Sequence, residues 1–116
     1  MGRLEQINFP QEFGGRPLDT PVRLFRNIEL PELAYTRRSG SELVIDLHPD
    51  ALRSLGRLTS TLGHEFVHAY DLDFGIFHNN VLSEAAAYRW EIRNAPLTGL
   101  GGRDLERVQI LYERYR

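Results

Sequence analysis

The sequence predicts an α+β fold, with a short strand and a β-hairpin ahead of three helices. Three observations carry that prediction. Residues 33–47 hold two β-prone runs on either side of a turn, apolar positions recur at helical spacing from about residue 50 onward, and the prolines fall between these stretches.

Taken in order, residues 1–20, with Pro10, Gly14, Gly15 and Pro17, read as irregular or extended chain. The stretch "PVRLFRNIEL" (21–30) alternates loosely and fits a short strand. In "LAYTRRSGSELVIDL" (33–47), "RRSGS" supplies turn residues between two β-prone runs, which predicts the hairpin. Leu43, Ile45 and Leu47 share one face of its second strand, with Val44 on the other beside Glu42 and Asp46. His48, Pro49 and Asp50 close that strand, and His48 is expected at the surface. A long helix is expected to begin at Asp50 or Ala51 and to end at Phe74, with Gly75 as its stop. A second helix covers residues 81–94 and is closed by Pro96, "LTGLGG" (97–102) reads as a loop, and a third amphipathic helix covers residues 103–116. Trp90, Ile92, Leu105, Val108, Ile110 and Leu111 are assigned to the core.

The chain has 116 residues, 41% apolar and 26% charged, the balance of an ordinary globular domain with one core. No repeat or low-complexity tract divides it, so a single domain over residues 1–116 is expected. A net charge of −2 with scattered arginines gives no footprint for nucleic acid. No apolar run is long enough for a signal peptide or a membrane span. Cysteine is absent, which removes disulfides, thiolate metal sites and thiol nucleophiles. Any metal here must be held by His, Asp or Glu.

The stretch "TLGHEFVHAYDLDFG" (61–75) places two of the four histidines four residues apart on the long helix. With His64 at the origin of a helical wheel, His68 falls at about 40° and Glu65 at about 100°. Leu55, Leu58, Leu62, Phe66, Ala69 and Tyr70 fall between about 120° and 240°, on the opposite side. The helix can therefore bury its back while offering His64, Glu65 and His68 to a cleft. Histidines at i and i+4 supply two zinc ligands from one rigid element, and the glutamate between them can take a proton from the water that the metal activates. This is the H-E-x-x-H pattern of zinc metallopeptidases.

A catalytic zinc takes a third protein ligand. Asp71, Asp73, His78, Glu84 and Glu91 are the downstream candidates, and Phe74 stands where the elongated metzincin pattern would need histidine. Glu84 fits best. It lies 16 residues after His68 on the first turn of the next helix, and "AAA" (85–87) lets two helices approach closely. Asp71 is either a carboxylate orienting an imidazole or a solvated residue near the helix end. His78 is an alternative ligand, an oxyanion donor or an exposed loop residue. Tyr88, one turn after Glu84, is an oxyanion donor or an interhelical packing residue.

The pair "LGHEFVHAYDLDFG" and "SEAAAYRWEIRN" resembles the small effector-type zinc metallopeptidases of bacteria. These include effectors injected into host cells and toxin domains at the C-termini of Rhs-like and other polymorphic toxins. The resemblance covers about residues 60–94, and "LGHEFVHA" alone also fits intracellular peptidases of the gluzincin type. It implies a minimal zincin-like fold with one zinc per chain, held by His64, His68 and Glu84 with Glu65 as catalytic base. It further implies a protein or peptide substrate, a cognate immunity or inhibitor protein, and either residence in the producer's cytoplasm or delivery as an effector or toxin. By the same analogy "ELVIDL" or its hairpin partner would be the edge strand along which a substrate lies extended. A zinc amidase acting on cell-wall peptides and an inactive zincin-like binding module are the alternative functions.

Overall fold

Residues 16–116 are described by a computed structural model of the chain. The irregular stretch expected over residues 1–15 lies outside the described residues. "ELVIDL" forms the centre of a three-stranded sheet in the order β1-β3-β2, built from β1 (Val22–Arg26), β2 (Ala34–Ser39) and β3 (Glu42–Leu47). The hairpin is present: β2 and β3 are antiparallel and joined through Gly40 and Ser41, with Ser39 opposite Glu42. β1 adds to the far side of β3 in parallel, Val22 opposite Leu43 and Arg26 opposite Leu47. β3 is paired on both edges and is also buried on both faces, Val44 included. It therefore cannot receive a further strand. Among the described residues, β2 keeps a free edge.

The long helix starts later than the sequence suggests. Pro49–Leu52 forms a separate 3-10 turn whose first N–H groups are met by His48, the Nδ1 of which accepts from the Asp50 backbone N–H at 3.0 Å. His48 is thus a half-buried cap rather than a surface residue. Helix α1 (Leu55–Phe74) begins only after Ser54, whose hydroxyl accepts from the Arg57 N–H at 3.0 Å. It ends as expected at Gly75, which takes the left-handed φ of +62° and closes the last turn onto the Asp71 carbonyl. The carboxylate of Asp73 in that turn holds the backbone N–H groups of Asp19 and Thr20, tying the strand's approach to the helix end.

Helix α2 (Asn80–Arg93) is capped by Asn79, whose side chain accepts from the Leu82 N–H. The stretch read as a loop after Pro96 is partly helical. Residues Ala95–Thr98 form a single turn, α3, with Pro96 in its first positions where a missing N–H costs nothing. Helix α4 (Gly102–Tyr115) completes the chain. No helix among the described residues is long and apolar enough to cross a membrane.

Helix α1 runs between the sheet and α2 and is buried on both sides. Leu58 and Leu62 pack on Ala34, Ile45, Leu47 and Ala51 of the sheet side, as the wheel predicts, whereas Leu55 is exposed in the first turn. On the other side Val67 meets Ala87 and Trp90. Trp90 covers Gly63 so closely that a Cβ at Gly63 would overlap its ring, which is why glycine stands there. Ala95, Leu100 and Val108 form a third cluster with Ile92 and Leu105. Ile110, assigned to the core by sequence, is exposed, because two residues past Val108 it lies about 200° round the helix.

Candidate metal centre

The turn of α1 facing α2 carries His64 and His68, and the first turn of α2 carries Glu84. All three ligating atoms lie within 4.8 Å of one another. His64 Nε2 is 3.0 Å from Glu84 Oε1 and 3.2 Å from His68 Nε2, and His68 Nε2 also contacts Glu84 Oε1. The wheel placed the histidine face toward an open cleft. Instead, the small residues of α2 bring it close to His64, and β2 lies against Glu65, so the two are buried at 7% and 5% exposure. The face opens into a cavity of about 310 Å³, whose walls include Tyr35, Thr36, Asp71, Tyr88 and Val108.

Both imidazoles are held from behind. His64 Nδ1 donates to Glu91 Oε2 at 2.8 Å, and Glu91 Oε1 accepts from the Ser60 hydroxyl at 2.6 Å. His68 Nδ1 pairs with the Ser83 hydroxyl at 2.7 Å. With Nδ1 engaged on each ring, the two Nε2 atoms turn toward Glu84. Two imidazole nitrogens and one carboxylate oxygen, each oriented by an outer partner, are a donor set that suits zinc.

The charges are strongly coupled. Burial disfavours the His64 cation, but the carboxylates of Glu84 and Glu91 outweigh it and push the imidazole up to about 10. Burial likewise disfavours the Glu84 anion, and contact with His64 and His68 reverses this to hold it well below the usual carboxylate range.

Glu65 points into the same space. Its Oε1 accepts from the Thr36 hydroxyl at 2.7 Å, and its Oε2 lies 3.8 Å from His64 Nε2. A residue of edge strand β2 therefore fixes the carboxylate on α1. The ring of Tyr88 stands edge-on to His64 with centroids 4.6 Å apart, and burial, then Glu84 and Glu91, push its phenol pKa up. Tyr88 packs against the third apolar cluster, as the packing alternative expects, and also lines the cavity.

Two other candidates are placed differently. Asp71 lines the cavity, but its carboxylate accepts from the Phe77 backbone N–H at 2.7 Å and so braces the loop between α1 and α2. The imidazoles take Glu91 and Ser83 instead. His78 is exposed on that loop, outside the cavity wall.

Sequence reasoning weighed Glu91 only as a ligand. A signal for Glu91 was present: seven residues after Glu84, it falls about 20° from it on the helical wheel. Thr36 carries no such signal, because its role depends on how the sheet docks against α1.

No protein-family model matches this sequence, and no curated protein or solved structure matches it either.

Proposed function

We propose that the chain is a zinc-dependent endopeptidase of the H-E-x-x-H type, with His64, His68 and Glu84 as ligands and Glu65 as general base. The observation that carries this reading is the convergence of three oriented donor atoms on one point beside the buried Glu65 carboxylate, whose Oε2 lies 3.8 Å from His64 Nε2. Zinc held there supplies Lewis-acid polarisation of the scissile carbonyl and activation of the attacking water. Glu65 takes the proton that the water gives up and returns it to the leaving amine nitrogen. Thr36 occupies Oε1, which leaves Oε2 facing the reacting centre. Tyr88, kept protonated by its surroundings, offers its O–H to the developing oxyanion.

Of the two strands considered for substrate pairing, β3 is enclosed, so a peptide would add to the free edge of β2, where Ala34, Tyr35 and Thr36 line the cavity. The resemblance over residues 60–94 extends the proposal to a bacterial effector or toxin domain, with a cognate immunity protein as its partner.

Metal analysis of the protein purified without chelators tests the site, with about one zinc per chain expected and loss of it in His68→Ala. Glu65→Gln is expected to keep the zinc and lose cleavage of casein or a peptide library. Wild-type cleavage in that variant overturns the mechanism. Release of peptidoglycan fragments without peptide-library cleavage would reassign the site to a cell-wall amidase.

A further inference from the structure

Helix α4 lends one face to the cavity, through Asp104, Arg107 and Val108 at i, i+3 and i+4. Two arginines line this wall, and they are used differently. Arg57 is committed: its guanidinium holds Asp104 through Nη2 at 2.6 Å and the Asp50 carbonyl through Nη1 at 3.1 Å. Arg107 forms no ion pair with any described residue. It stands where the catalytic cavity meets a smaller one of about 190 Å³ beyond it, and it borders both.

Five of the carboxylates around the cavity are already engaged. Glu84 and Glu91 hold the histidines, Glu65 holds Thr36, Asp104 holds Arg57, and Asp71 holds the Phe77 N–H. Glu32 on the facing wall also borders both cavities and is exposed.

Resting on the peptidase reading, we propose that Arg107 is a specificity-determining residue that binds a substrate carboxylate next to the scissile bond. An acid-rich wall repels an anionic substrate group, and an uncommitted guanidinium on a rigid helix makes one position along it favourable. The carboxylate has two sources, an acidic side chain or the C-terminus of the peptide. The first gives an endopeptidase selective for acidic residues, the second an enzyme that trims chain ends.

The test is calorimetric binding of three hydroxamates to the zinc-loaded protein, so that the readout does not depend on turnover. The ligands share one scaffold and carry a free α-carboxylate, the matching carboxamide, or a glutamate side chain on an amidated end. One carboxylate ligand should bind about tenfold tighter than the carboxamide, and which one does so identifies the source. Arg107→Ala should abolish that gap, Arg107→Glu should invert it, and Arg107→Lys should restore part of it, while carboxamide affinity stays constant. Equal binding of all three ligands by the wild type, or an equal loss for all in Arg107→Ala, overturns the proposal and leaves the peptidase reading standing. No binding of any ligand and no retained zinc rejects both.

Discussion

His64 donates its Nδ1–H to Glu91 across the interface between α1 and α2, and this bond fixes which nitrogen of the ring faces Glu84. Glu91 is itself 6% exposed and braced by Ser60, so the ring cannot rotate without breaking a buried pair. Glu91→Gln keeps the shape but weakens the acceptor. Zinc affinity is expected to fall about 10- to 100-fold, as for other outer-shell partners of metal-bound histidine. A chelator competition titration measures this, and unchanged affinity would remove Glu91 from the site.

Thr36 makes a different prediction, because it touches the proposed base and not the proposed ligands. In Thr36→Val the Glu65 carboxylate loses its 2.7 Å donor while the ligand set is left intact. A hydrogen bond to a charged group contributes about 1.5–3 kcal/mol, so turnover should drop by about tenfold or more. Zinc content should not change. A variant that retains full turnover, or that loses zinc, would show that the hydroxyl does not act through Glu65.

Gly63 links packing to the site next to it. A methyl group there would overlap the Trp90 ring, whose side chain fills the α1–α2 interface one residue from His64. Gly63→Ala must displace the indole or part the helices. Overpacking of this kind costs about 1–3 kcal/mol and should move the donor atoms apart. Both a lower thermal midpoint and weaker zinc binding are expected. The paired variant Gly63→Ala/Trp90→Leu, which makes room for the methyl group, should recover part of the metal affinity even though it loses core area. An unaltered midpoint in Gly63→Ala would mean that the close approach is not maintained in solution.

Much of this arrangement was legible in the sequence, for identifiable reasons. The hairpin followed from turn residues between β-prone runs, and the His64, Glu65 and His68 face followed from helical spacing. Both are local periodicities. Glu84 followed from the next helix's position and its small residues. What was missed depends on contacts between elements. The parallel pairing of β1 with β3 enclosed "ELVIDL" and left its hairpin partner β2 as an outer strand, which no local pattern in either strand reveals. Ser54 outcompeted the earlier helix start because Pro49 and His48 build their own turn. The burial of His64 came from α2, not from the composition of α1. Even so, Glu91 shares a helical face with Glu84 and could have been found by the same wheel that found His68.

If the proposed site holds zinc, protons compete with it for His64 Nε2, and the sign of the pH dependence follows from its neighbours. The folded pKa is raised from 6.5 to about 10 by Glu84 and Glu91 acting against burial. A raised folded pKa stabilises the metal-free protein fully below about 6.5, and that contribution is lost as pH rises through about 10. Zinc binding must expel the same proton. Apparent zinc affinity should therefore rise by about tenfold per pH unit across that window, while metal-free stability declines over it. Chelator competition from mildly acidic to alkaline pH measures the first trend, and urea melts of the chelator-treated protein measure the second. Calorimetry in buffers of different ionisation enthalpy counts the protons released. In Glu91→Gln the imidazole loses one of its three anionic partners, so its pKa falls and zinc affinity should depend less on pH near neutrality. A pH-independent zinc affinity with no proton released would mean that His64 is already neutral in the metal-free protein, and that Glu84 and Glu91 do not share a charged ring between them.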